Sequence, residues 1–134
     1  MPNDISARGS RMARLWILIA VLYLLTGTTF GVVMGLTHTL QYMPVHAHIN
    51  LLGWATLALA GIIYHLYPQA GGSRLGIAHF WLHNLSLPLL MIALFMMFGG
   101  NQAMEPVVGI LSIIMVFATL LFAVNLFLNT GRTA

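Results

Sequence analysis

Four long apolar runs, separated by short stretches of polar residues, glycine and proline, set the pattern of this chain. They cover residues 16–36, 45–66, 77–98 and 107–128, with connectors at 37–44, 67–76 and 99–106. Each run is close to the roughly 20 residues a helix needs to cross a bilayer. A spanning β-barrel instead requires alternating strands of about ten residues, and no such alternation is present. The pattern predicts an all-α fold: a four-helix transmembrane bundle, one domain over residues 1–134.

Composition agrees and charge adds an orientation. The chain is 60% hydrophobic and 5% charged, with mean hydropathy +0.93, whereas soluble domains carry about 25% charged residues. The five bases are Arg8, Arg11, Arg14, Arg74 and Arg132. With four spans, all five fall on the side of both termini, and Glu105 falls on the other. Basic residues mark the cytoplasmic face, so both termini are expected in the cytoplasm, with the chain crossing a bacterial inner membrane. The net charge of +3 then reflects topology, and no basic patch interleaved with aromatics points to nucleic acid. The arginine-rich start resembles a signal peptide, but a first apolar run of about 21 residues exceeds the usual 7–15 and lacks a small-residue cleavage site. It is expected to be a retained helix, preceded by a mobile polar segment to about Ser10. The absence of cysteine excludes disulfides, thiolate ligands and iron–sulfur clusters. Both acids, Asp4 and Glu105, lie outside the spans, which argues against proton pumping.

The candidate chemistry is histidine. His46-Ala-His48 opens the second span, and an ionisable group in hydrocarbon is a functional candidate by default. Two residues apart on a helix, the rings point roughly 200° from one another. They cannot grip one ion together, but each can serve a different neighbour, which suits haem ligation better than a compact metal cage. A lone histidine here would read as an interfacial anchor; two in so apolar a chain read as ligands. His46, Asn50 and Gly53 share a face, Gly53 leaves room for a flat macrocycle, and Trp54 follows. In the third span, His79 and His83 stand one turn apart, with Pro88 beyond them to kink the helix. That pair reads as an interfacial anchor or a contact to a haem propionate, or as a second metal or haem site with His65 as third ligand. Gly27, Gly31 and Gly35 recur every four residues in the first span, for close packing within the bundle or between protomers. The fourth span reads as scaffold.

Depth limits the pairings. His48 and His65 are 17 residues apart, about 25 Å along a helix, so the outer and inner histidines cannot ligate one haem. At the outer level His46 and His48 have only His38, in the first connector, or a histidine of another copy.

The motif over residues 43–54, His46-x-His48 near the outer end of an out-to-in span, resembles that of the haem-copper oxidase subunit I family. In that family a His-x-His pair at this depth serves two haems, and the subunit has twelve helices in three pseudo-symmetric units of four. The resemblance implies that this chain is one four-helix unit, that three copies form a twelve-helix homotrimer, and that b-type haem is bound through His46 and His48. The chain departs from the family in lacking a His-His pair and a matching tyrosine, so oxygen reduction is not carried over. Three functions remain as expectations. The first is a haem protein for electron transfer or for binding NO, O₂ or CO. The second is a quinol- or cytochrome-linked reductase with copper near His38. The third is a haem-free assembly or structural subunit.

Overall fold

The computed structural model describes residues 4–131, and every regular element in that range is helical. Helix α1 runs Asp4–Thr37, α2 Leu40–Leu66, the short α3 Pro68–Gly72, α4 Arg74–Phe98 and α5 Gln102–Asn129. The four long helices are each long and apolar enough to cross a membrane, as the hydropathy pattern predicts.

The boundaries have local causes. Helix α1 stops where His38 takes a left-handed conformation (φ 56°), letting the Thr39 N–H reach back to the Met34 carbonyl at 3.2 Å, a closure that glycine makes most easily. Helix α4 ends the same way at Gly100 (φ 107°), with the Asn101 N–H bonded to Met96 O at 3.0 Å. Pro68 stops α2 by disfavouring helical geometry at Tyr67, which sits at φ −124°, ψ 70°. Ser73 caps α4, its Oγ accepting from the Gly76 N–H at 2.9 Å. Helix α4 continues unbroken through Pro88.

Helix α1 packs along α2, and α4 along α5, giving two antiparallel hairpins. The third span is the most enclosed of the four and the fourth the least. From Asp4 to Ser10 the structure departs from the expected mobile segment, being helical and packed on α3; residues 1–3 lie outside the described range. At Gly9 a side chain would strike the Pro68 carbonyl, and at Gly72 the Ile5 carbonyl. Gln69 Nε2 also donates to Ser6 Oγ at 2.9 Å. This glycine-lined seam joins α3 to α1 at the arginine-bearing end.

Candidate functional site

The outer histidines take different surroundings. His46 is half-buried and turned toward α1, where a Cβ on Gly31 would lie 2.7 Å from its Cε1. Asn50 fits the same way over Gly27 and donates Nδ2 to the His46 carbonyl at 2.9 Å; the same nitrogen is 3.5 Å from His46 Nδ1. Gly27 and Gly31 thus make the α1–α2 contact inside one chain, whereas nothing lies within 4 Å of a Cβ at Gly35. The macrocycle expected over Gly53 has no room there: the Tyr23 ring fills that space, its Cδ1 2.5 Å from a Cβ placed on the glycine. Trp54 is half-buried beside it.

His48 is exposed on the opposite side of the helix. Its Nδ1 donates to the Pro44 carbonyl at 2.7 Å. A carbonyl only accepts, so Nδ1 carries the proton and the neutral ring keeps its lone pair on Nε2. This is how proteins fix the tautomer of a ligating imidazole. His38 is exposed in the outer turn. An apolar groove of about 330 Å³ opens nearby between α1, α2 and α4, lined by Thr26, Phe30, Val45, Ile49, Met91, Ile92 and Phe95; none of His38, His46 and His48 lines it.

Below the histidine pair, residues Ile49–Ala55 form a π-helical segment, a widened turn that frequently marks functional sites. Thr56 Oγ1 bonds Leu51 O at 2.7 Å, and His83 Nε2 crosses from α4 to donate to Leu52 O at 3.1 Å. The π segment therefore links the outer histidines to a second, enclosed group of polar residues.

That group corrects the interfacial reading of His79 and His83. Both are buried, at 1% and 0% exposure, with Trp16 against them at centroid distances of 4.6 and 5.5 Å. Phe122 lies 4.9 Å from His79 on another side. Helix α5 supplies Asn125, whose Nδ2 donates to Tyr64 Oη at 3.2 Å and to Ala70 O at 2.9 Å. Its Oδ1 accepts from Ser73 Oγ at 2.7 Å and Asn129 Nδ2 at 2.8 Å. With the phenol oxygen already accepting from Asn125, its proton is directed to His79 Nδ1 at 2.9 Å. His65 is exposed and does not join this group, so the three inner histidines do not converge. Among the described residues, no three of His, Cys, Asp and Glu lie close enough to hold a metal ion. His83 Nδ1 and Trp16 Nε1 are buried without a protein partner.

Sequence reasoning missed Trp16, Tyr64 and Asn125 as a unit. Asn125 was the available signal, since an amide in a nearly pure hydrocarbon span demands a partner. Comparisons of the chain with known protein families, characterised proteins and solved structures find no match.

Proposed function

We propose that this chain is an integral protein of a bacterial inner membrane that binds b-type haem through His48, between copies of itself. The observation that carries the reading is the 2.7 Å bond from His48 Nδ1 to Pro44 O. In the neutral ring it orients the Nε2 lone pair on the outside of the bundle, where a ligand held by one chain alone would have little enclosure. His46, seated against its own α1 through Gly31 and Asn50, is the lesser candidate and lends the site rigidity. The likeness to oxidase subunit I implies a trimer, in which a neighbouring copy would cover the exposed His48 ring. When bound, haem supplies a one-electron couple, or a site for NO, O₂ or CO where one axial position stays open. The Pro44 carbonyl fixes the orientation of the ring.

A second reading has an observation of its own. The bonding of Asn50 to the His46 carbonyl, with both side chains fitted over glycines, equally serves a haem-free structural subunit in which the polar residues fasten two helices. One experiment separates the two. The protein expressed with haem supplied is expected to show a Soret band in stoichiometric yield, retained largely in His46→Ala and reduced at least fivefold in His48→Ala. Carbon monoxide added to the reduced protein shifts the band where one axial position is open. A colourless wild type favours the structural subunit; a band that survives both substitutions removes the assigned ligands.

A further inference from the structure

Helix α1 is longer than a membrane is thick. Its 34 residues extend about 51 Å, against a hydrocarbon core of about 30 Å. The stretch from Leu15 to Thr37 carries no charge and fills that core. The turns before it, Asp4 to Arg14, stand in the headgroup layer and beyond it. Gly9, Ala13 and Trp16 are buried along one face of these turns and the next. At about 100° per residue, Arg11 projects close to the opposite direction with Arg8 and Arg14 about 60° to either side of it, and all three are exposed. From Arg8 to Arg14 the axial distance is about 9 Å, comparable to the 5–8 Å or so of one headgroup layer. Arg74, also exposed, opens α4 immediately after α3, which is packed on the first turns of α1. Asp4 is the only side-chain carboxylate at this end of the molecule, because the chain's other acid, Glu105, lies across the bilayer.

We infer that Arg8, Arg11 and Arg14 form a binding surface for anionic phospholipid headgroups of the adjoining leaflet. The row points away from the protein's own contacts, so in a bilayer its neighbours are lipids. A guanidinium offers a planar fork of donors that matches a phosphate bidentately, and the spacing presents three forks at successive depths. An acidic soluble partner would reach only the outermost of them. The inference stands apart from haem, since none of these residues touches the histidines' surroundings.

Electron spin resonance of spin-labelled lipids tests it on the whole protein in phosphatidylcholine vesicles. Labelled phosphatidylglycerol is expected to associate with the protein roughly fivefold more strongly than labelled phosphatidylcholine at low salt, the factor for one basic side chain at an anionic surface. The preference is expected to fall toward unity in about 0.5 M salt, and in the triple variant Arg8→Gln, Arg11→Gln, Arg14→Gln. The matching triple lysine variant is expected to keep most of it, since charge remains and only the fork is lost. All three side chains are exposed, so circular dichroism of the variants is expected to match wild type. Equal association of the two lipids with wild type overturns the inference. So does a preference that survives the triple glutamine variant, including one that Arg74→Gln alone removes.

Discussion

Replacing Gly31 with alanine puts a methyl group 2.7 Å from Cε1 of His46, closer than carbon atoms tolerate, so the ring has to swing away from α1. Overpacking of this kind costs about 1–3 kcal/mol, and a movable ring keeps the figure near the low end. At Gly35 a Cβ meets nothing within 4 Å, and there alanine adds up to about 1 kcal/mol of helix propensity. Unfolding in mixed micelles is expected to rank Gly35→Ala at or above wild type and Gly31→Ala below it; equal values for the two would remove the His46–Gly31 contact as a determinant. The glycine spacing was legible in the sequence, and so was the presence of small residues facing something. Their partner was not, because a repeat on one helix carries no record of which neighbour supplies the knob. The same limit applied to Gly53, where the opening seen in the sequence is filled by Tyr23.

The π segment at Ile49–Ala55 is supported both locally, by Thr56 Oγ1 on Leu51 O, and from a distant helix. Its residues read as an ordinary apolar helix, and a uniform 100° step across them misplaces the remainder of α2. His83, 31 positions along the chain, donates to Leu52 O and supplies a partner for a carbonyl that a regular helix would use internally. His83→Phe, somewhat larger than histidine, removes the donor to that carbonyl, a loss of about 1–3 kcal/mol for a buried group left without its partner. Hydrogen exchange across residues 49–56 is expected to quicken in His83→Phe and to return toward wild type in His83→Gln, whose amide nitrogen reaches to a similar distance. Unchanged exchange in the phenylalanine variant would mean that the widened turn holds itself. His79 and His83 were legible as a pair on one face of a helix, but their burial depends on Trp16 and Phe122, brought from the first and fourth spans. Only tertiary packing decides between an anchor at the membrane surface and a core residue.

Four helices long and apolar enough to span a bilayer are legible in hydropathy alone, since a backbone in lipid has no other way to pair its polar groups. The pairing into hairpins comes from the short connectors. The seam between α3 and α1, and the Ser73–Asn125–Tyr64–His79 chain that ties both hairpins together, lie beyond what periodicity reveals. Each depends on single residues meeting across long sequence separations. The outer faces of α1 and α5 are little buried within one chain, surface that lipid or further copies can cover. Native mass spectrometry of the haem-loaded protein is expected to give three times 14.7 kDa, about 44 kDa, plus haem, and His48→Ala is expected to lose haem from that assembly. A strictly monomeric, haem-loaded particle would place the iron within one chain and end the shared-site reading.

The enclosure of His79 and His83 also constrains how the protein is made. Trp16 and Tyr64 emerge from the ribosome before these imidazoles, while Phe122 and Asn125 emerge after them. The third helix is less apolar than the first or the fourth, and by itself it would present two imidazoles to acyl chains. Its burial is therefore expected to depend on its neighbours: the first hairpin supplies Trp16 and Tyr64, and the last helix closes over the histidines with Phe122 and Asn125. Truncating the chain after the third helix should leave a product that membrane quality control degrades, although most of the polypeptide, His46 and His48 included, would already be present.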